Sequence, residues 1–214
     1  GLVGSEMCIR DSASAETITV CASGCDYTSI NAAISAASDG DVIQLAAETY
    51  FEGEQIDTLG KAITLRGVPG KDGEPASVLD GGGIHRVLIC QSGETSTTVF
   101  QNLVIQNGYA GDGGGMVNDN GSNPTLTNCT FTGNSASYGG GGMYNEESSS
   151  PALIGCTFTD NSSNEGGGGM YNENSSSPIL ADCTFPSNSA SLLDGWATPT
   201  APSPTLTDCT FTSK

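Results

Sequence analysis

The sequence predicts an all-β fold: a parallel β-helix with about 27 residues per coil and a short N-terminal capping helix. Two observations support this prediction. The segment NCTFTGNSASYGGGGMYN at 128–145 returns, little changed, as GCTFTDNSSNEGGGGMYN at 155–172. In addition, the 30 glycines and the abundant serine, threonine and asparagine favour short strands joined by tight turns over long helices.

The cysteines set the period of the repeat, because they stand at intervals of 27, 27 and 26 residues. Each coil contains three segments, Gly-Gly-Met-Tyr, Pro-x-Leu and Cys-Thr-Phe-Thr, with apolar residues at every second position, as in a strand with one buried face. Segments this short cannot form a core alone, so we expect three-stranded coils that stack on one another. The two clearest columns are Cys129, Cys156, Cys183 and Cys209, and Phe131, Phe158, Phe185 and Phe211.

Turn residues recur at the same interval. The position before each cysteine, and its counterpart one period earlier, holds a residue that tolerates the left-handed backbone region, which a sharp bend between two strands requires. These residues are Asn102, Asn128, Gly155, Asp182 and Asp208. A second column, Asn134, Asn161 and Asn188, closes the Cys-Thr-Phe strand. In stacked coils we expect the asparagines to hydrogen-bond along the stack and the phenylalanines to stack in the core.

The two ends of the chain differ from its middle. Residues 1–12 share nothing with the rest of the chain and are interpreted as a non-native leader, which leaves 13–214 as one β-helix domain. Within it we predict a cap at 13–40, first coils at 41–102 and regular repeats at 103–214 that are cut short. The cap contains a helix over 27–38, with Asp26 or Thr28 at its start and four apolar residues on one face: Ile30, Ala33, Ile34 and Ala37.

The charge distribution excludes two kinds of partner. The chain has 24 acidic residues against six lysines and arginines, and residues 87–213 contain no basic side chain. Such a surface repels phosphate backbones and anionic lipids, so we predict no nucleic-acid binding. No segment approaches the ~20 apolar residues of a membrane-spanning helix.

Short motifs in the repeats resemble those of a known family. Phe131-Thr-Gly-Asn134 and its two successors resemble the F-x-x-N motif of the chlamydial polymorphic outer-membrane proteins, and Gly113-Gly-Gly-Met116 and its successors resemble their G-G-A-I motif. Upstream, YTSINAAISAASDGDVIQLAAETYFE, GKAITLRG and SVLDGGG resemble the cap and first coils of pectate-lyase-like right-handed parallel β-helices. The resemblance covers about 18–213. It implies a right-handed β-helix and a surface-exposed or secreted, adhesive role.

The cysteines have several possible states. Cys21 and Cys25 flank a tight loop before the helix, and we predict a local disulfide, with two free thiols as the alternative. The ladder cysteines lie at a spacing that permits bonds between coils. However, parallel Cβ vectors suit the disulfide dihedral poorly, which favours buried thiols that pack as small hydrophobes.

Three further columns are candidate sites. Asp119, Glu146 and Glu173 would bring carboxylates about 5 Å apart, and a bound Ca²⁺ would relieve the repulsion between them. A solvated acidic edge is the alternative. Tyr144 and Tyr171 form a candidate sugar-binding platform or a cross-coil pair that stabilises the sheet. Four asparagines match the glycosylation motif: Asn120, Asn128, Asn161 and Asn174.

These observations favour an extracellular structural or adhesive module that assembles end to end into filaments. Its expected partners are further copies, or surface and matrix proteins and glycans. The alternative is a carbohydrate-binding or carbohydrate-active protein of the lyase or hydrolase type. We predict no catalytic residues, because the only histidine, His85, and the basic residues near it, such as Arg86, lie in the first coils. Ice or mineral binding is disfavoured because the outer threonines are expected to form a single column: Thr130, Thr157, Thr184 and Thr210.

Overall fold

A computed structural model describes residues 14–71, 73–191, 196–197 and 203–212. The elements in the first half are β1 (Thr17–Val20), α1 (Ile30–Ala36), β2 (Val42–Leu45), β3 (Thr49–Tyr50), β4 (Ile56–Asp57), β5 (Thr64–Arg66), β6 (Ser77–Asp80), β7 (Leu88–Cys90), β8 (Val99–Gln101), β9 (Leu103–Gln106) and β10 (Tyr109–Ala110). The regular repeats are β11 (Met116–Asn118), β12 (Thr125–Thr127), β13 (Thr130–Thr132), β14 (Ser135–Ala136), β15 (Met143–Asn145), β16 (Ala152–Ile154), β17 (Thr157–Thr159), β18 (Ser162–Ser163), β19 (Met170–Asn172), β20 (Ile179–Ala181), β21 (Thr184–Pro186), β22 (Ser189–Ala190), β23 (Trp196–Ala197), β24 (Thr205–Thr207) and β25 (Thr210–Thr212).

The strands form four parallel sheets, each collecting one strand from successive coils. Sheet A has the order β1-β2-β5-β8-β12-β16-β20-β24, sheet B the order β3-β6-β9-β13-β17-β21-β25, sheet C the order β4-β7-β11-β15-β19-β23, and the small sheet D the order β10-β14-β18-β22. Strands adjacent in a sheet are distant in the chain, as a winding stack requires. The predicted parallel β-helix is confirmed. Sheet D is an addition, since three strands per coil were expected.

The columns read from the sequence are the vertical rows of the core. Phe131 pairs with Phe158, and Met116 with Met143, in strict register. The phenylalanine rings stack from coil to coil with centroids 4.6, 4.7 and 4.8 Å apart. Phe131, Phe158 and Phe185, together with the buried leucines and methionines, fill one continuous apolar core, whereas Phe211 in the last strand is exposed. Burial of these rows drives the coils together.

The bends between sheets A and B adopt the predicted left-handed conformation. The φ angles of Asn102, Asn128, Gly155, Asp182 and Asp208 are 55°, 51°, 62°, 54° and 50°. Only residues that tolerate positive φ allow the chain to turn so sharply between two strands. The prediction from turn chemistry is therefore confirmed.

The N-terminal helix is shorter than predicted and has a different first residue. It spans Ile30–Ala36, and the N-cap is Ser29 rather than Asp26 or Thr28, with Oγ of Ser29 accepting the N–H of Ala32 at 3.2 Å. Asp26 instead accepts hydrogen bonds from the backbone and side chain of Thr19. The C-terminal carbonyls are bound by Nζ of Lys61, which donates to residues 34, 35 and 37 at 2.6, 2.9 and 2.8 Å. The helix covers the first coil with Ile30, Ala33 and Ile34 buried.

The ladder cysteines are free thiols in the described structure, and three of the four are fully buried. Each Sγ donates to backbone carbonyls, as Cys156 does to Leu126 at 3.7 Å. Cys21 and Cys25 are joined by a disulfide with their Cα atoms 5.6 Å apart. Within the described residues there is no helix with the length and hydropathy needed to span a membrane. Residues 1–12 lie outside the described residues.

Candidate functional site

Sheet C carries a second apolar cluster on its outer side. Leu88 and the methionines of this sheet point into the core, so the next residue of each strand points outward. These outward residues are Ile89, Val117, Tyr144 and Tyr171. The rings of Tyr144 and Tyr171 stack with centroids 5.5 Å apart and planes 11° apart.

The tyrosine pair is not an open platform of two rings. Tyr144 is only 4% exposed, while Tyr171 is half-buried and its ring lies against the backbone of Gly139 and Gly166. The arrangement matches the cross-coil pair that stabilises the sheet. Of the two tyrosines, only Tyr171 keeps part of its side chain accessible to a ligand, because Tyr144 is buried in the cluster.

Arg86 connects three successive coils beside this cluster. Its Nε and Nη2 donate to the carbonyl of Asp112 at 3.3 and 2.9 Å, Nε donates to the carbonyl of Gly113 at 3.1 Å, and Nη1 donates to Oε1 of Gln55 at 3.1 Å. The side chain is half-buried. Burial lowers the pKa of Arg86, and the nearby carboxylates of Asp112 and Glu146 oppose that shift. The guanidinium remains charged and fixes the position of the loops around it.

The carboxyl groups next to Arg86 are held in an unfavourable environment. Burial raises the pKa of Asp112, and one of its oxygens, Oδ1, is buried without a hydrogen-bond partner among the described residues. Burial, followed by the charges of Asp119 and Asp112, raises the pKa of Glu146 to about 7. Near neutral pH, Glu146 is therefore present both as an acid that donates a hydrogen bond and as a carboxylate that accepts one.

The three acidic residues of the predicted column lie in successive coils. Glu146 donates its N–H to the carbonyl of Asn118, and Glu173 donates to that of Asn145, both at 3.0 Å, which places the column in register. Nevertheless, over the described part of the chain no group of three or more metal-ligating side chains is arranged to hold an ion. The Ca²⁺ site at Asp119, Glu146 and Glu173 stays a prediction, with a solvated acidic edge as the alternative.

A polar cavity extends the same surface toward the cap. It has a volume of about 290 Å³ and is lined by Asn31, Ser35, Glu54, Gln55, Asp57 and Leu59. Gln55 belongs to both regions, because its side chain also accepts the hydrogen bond from Arg86. We define the candidate site as Gln55, Arg86, Asp112, Glu146 and Tyr171, with this cavity at one end.

Three of the four glycosylation candidates are exposed: Asn120, Asn128 and Asn174. Asn161 is fully buried, and its amide donates to the carbonyl of Phe131 and to Oδ1 of Asn188, both at 2.9 Å. A glycan cannot be attached there in the folded protein, so the motif at Asn161 was misread as a surface site. The same residue is a core element of the repeat.

Two features were not predicted from the sequence. One is the pairing of Arg86 with the backbone of Asp112, 26 residues later, because it crosses one irregular coil. The other is a second buried amide column, Asn118, Asn145 and Asn172, in which Nδ2 donates to the next Oδ1 at 2.8 and 2.7 Å. The signal for this column was present, since the three asparagines share the 27-residue period.

Comparisons with known proteins identify the family. Residues 81–214 match the family described as the right handed beta helix region. The chain belongs to this family, and the right-handed parallel β-helix inferred from the motifs is confirmed. No curated protein matches the sequence.

Two solved structures of a pectin methylesterase from Aspergillus niger are similar in fold. The deglycosylated form is 16% identical, covers 96% of this chain and 87% of the other, and gives a TM-score of 0.43. The penultimately deglycosylated form is 17% identical, covers 95% and 87%, and gives a TM-score of 0.40.

Proposed function

We propose that this β-helix protein binds carbohydrate at the site formed by Gln55, Arg86, Asp112, Glu146 and Tyr171. The observation that carries the proposal is the buried, partnerless Oδ1 of Asp112 beside the fixed guanidinium of Arg86 and the half-buried Glu146. Sugar hydroxyls both donate and accept hydrogen bonds, so they suit a surface with donors and acceptors in close alternation. The accessible part of the Tyr171 ring supplies an apolar contact for a sugar face.

Charge selects the kind of carbohydrate. One arginine stands among several carboxylates in a chain with a net charge of -18, so the field at the site is negative. Uronate and sulfate groups would be repelled there. We therefore propose neutral glycans as ligands. We also propose binding without turnover, as expected from the sequence.

The test is calorimetric titration of the protein with a soluble neutral β-glucan and a neutral mannan, and with polygalacturonate as the charged comparison. We expect the neutral glycans to bind more tightly at pH 5.5 than at pH 8, because a neutral Glu146 costs less to desolvate. Glu146→Gln should retain the tighter binding at pH 8, whereas Glu147→Gln, at the exposed neighbouring residue, should behave like the unsubstituted protein. Tyr171→Ala should weaken binding roughly threefold to tenfold, in line with the ~0.5–1.5 kcal/mol of an aromatic contact.

Two outcomes would reject the carbohydrate site. One is the absence of binding to either neutral glycan at pH 5.5. The other is a pH dependence that persists unchanged in Glu146→Gln. Recovery of shortened glycans after incubation would show turnover and would contradict the proposal of binding alone.

A second candidate function is a structural or adhesive rod that associates with further copies or with surface proteins. The unbroken side-chain ladders favour it, because stacked phenylalanines and bonded amides stiffen the long axis. Sedimentation velocity and electron microscopy test this candidate. Filaments or cell binding that survive Asp112→Asn and Glu146→Gln would support the rod, and compact monomers that bind no cells would exclude it.

We propose an extracellular location for either function. The disulfide between Cys21 and Cys25 suits an oxidising compartment. The exposed motifs at Asn120, Asn128 and Asn174 remain candidate glycosylation sites. Expression through a eukaryotic secretory pathway, followed by mass spectrometry, tests both points. A reduced Cys21 in secreted protein would argue against this location.

A further inference from the structure

Over the last four strands of sheet B (β13, β17, β21 and β25), the outer face is a two-dimensional array of threonines. Phe131 points into the core, so Thr130 and Thr132 on either side of it point outward, and the same holds in the following coils. One column consists of Thr130, Thr157, Thr184 and Thr210, and the other of Thr132, Thr159, Pro186 and Thr212. The single column expected from the sequence is therefore wrong. Two parallel columns occupy this face, and one position out of eight lacks threonine.

The array is regular in both directions. Along the stack, the phenylalanine rings directly beneath it repeat every 4.6 to 4.8 Å. Along each strand, two outward residues are about 6.6 Å apart, twice the rise per residue.

The array contains no charged side chain, although the chain has 24 aspartates and glutamates. Acidic residues border the array: Thr159 donates its hydroxyl to Oδ2 of Asp160 at 3.2 Å, and Glu74 lines a cavity of about 190 Å³ that also includes Thr130 and Thr157. The array positions themselves carry no charge, which suits a neutral partner.

We propose that this threonine array binds ice. Ice is a neutral solid whose water molecules repeat at fixed spacings, and those on the prism face of hexagonal ice are similar to the two spacings of the array. Threonine suits such a surface because its hydroxyl bonds water, its methyl group packs against it, and its χ1 angle is stiff before contact. Some hydroxyls already bond each other, as Thr157 and Thr184 do at 3.1 Å, yet each hydroxyl has one donor and two acceptor positions and keeps capacity for water.

The array lies on sheet B and the candidate carbohydrate site beside sheet C, so the two functions can be tested separately. The assays are freezing hysteresis in a nanolitre osmometer and partition of the full chain into a growing ice front. We expect hysteresis that rises with protein concentration. Thr159→Lys and Thr184→Lys should abolish it, because a charged, longer side chain holds the face away from the lattice.

Two further variants make the test specific. Thr127→Lys, which places the same charge on the outer face of sheet A, should retain the hysteresis. Pro186→Thr completes the second column and should increase it. Circular dichroism and thermal unfolding verify that each variant keeps its fold, and glycan titration should be unchanged in all four. Absence of hysteresis and of ice partition in the unsubstituted protein, or their persistence in folded Thr159→Lys, would overturn the proposal.

Discussion

Nδ2 of Asn134 donates to Oδ1 of Asn161 at 2.9 Å, and the same oxygen accepts the backbone N–H of Asn134 at 3.1 Å. Asn161 repeats this relationship with Asn188, and its amide also reaches the carbonyl of Phe131. All three asparagines are almost fully buried. The column therefore satisfies the backbone of the bend at the end of each phenylalanine strand, inside a core that water does not enter.

Asn161→Leu should destabilise the protein strongly. The change removes the acceptor of the Asn134 backbone N–H and the side-chain donor to the carbonyl of Phe131, and it leaves the Asn134 amide with only its bond to the carbonyl of Ile105. Each unsatisfied buried group costs about 1–3 kcal/mol. We expect the free energy of unfolding in urea to fall by roughly 3 kcal/mol or more. The exposed neighbour Asn164 provides the matched control, and Asn164→Leu should change stability little. Equal losses in the two variants would contradict the role given to the column.

Phe158→Ala should remove a central ring of the stack. The ring lies between Phe131 and Phe185 at centroid distances of 4.6 and 4.7 Å and is fully buried. Truncation of a buried phenylalanine costs about 3–5 kcal/mol, which thermal or urea unfolding would detect. Phe51→Ala, at a side chain that is 57% exposed, is the comparison and should cost far less.

Glu94 should make the protein sensitive to acid. Burial alone would raise the pKa of this carboxyl group, but hydrogen bonds from Thr58 and Ser122 at 2.7 and 2.8 Å, together with backbone donors, outweigh burial and lower the pKa. Because the pKa is lower in the folded state than in the unfolded chain, where it is about 4.3, ionised Glu94 stabilises the folded state at pH values above 4.3. That contribution is lost as pH falls through the pKa of the folded state. Urea unfolding from pH 7 to pH 3 should therefore show a weaker pH dependence in Glu94→Gln than in the unsubstituted protein, with exposed Glu54→Gln unchanged.

Glu146→Gln should have the opposite pH signature. Because burial and neighbouring charges raise the pKa of Glu146 to about 7, ionisation is less favourable in the folded state than in the unfolded chain. The stability associated with the neutral acid is present below about pH 4.3 and is lost as pH rises through 7. We expect Glu146→Gln to raise the melting temperature at pH 8 and to leave it unchanged at pH 4. A stabilisation of equal size at both pH values would indicate a cause other than ionisation.

The thiols should be protected by the fold. Cys90, Cys129, Cys156 and Cys183 are buried, and burial raises the pKa of Cys90 well above its ordinary value. The thiolate is the reactive form, so a thiol reagent should label these residues slowly in the native protein and rapidly in urea. Among the thiols that the structure describes, Cys209 is only partly buried and should react first. Rapid labelling of Cys156 without denaturant would show that the coils open.

Much of the fold can be predicted from the sequence, because residues one repeat period apart contact each other in neighbouring coils. Phe131 and Phe158 occupy equivalent places in coils of equal length, so one period predicts their pairing, and the Asn, Gly and Asp residues before the cysteines predict the bends. Sheet D was not predicted, because its strands of two residues, such as Ser135–Ala136, have no apolar alternation to read.

The candidate site was harder to predict from the repeat period. Arg86 and Asp112 belong to coils of unequal length near the start of the array, so no fixed period connects them. The burial of Tyr144 could not be inferred from the sequence either, because it depends on how the residues around it pack against sheet C. Asn161 was assigned from the sequence both to the amide column and to a glycosylation motif, and its burial is compatible only with the column.

The amide column has a consequence for how such a chain evolves. Each coil brings one asparagine that donates to the coil after it and accepts from the coil before it, with 27 residues between successive members. An in-frame duplication of 27 codons therefore inserts a complete coil, and both of its ends already match the coils next to it. Recombination can therefore change the length of the β-helix while the residues that form its core stay the same.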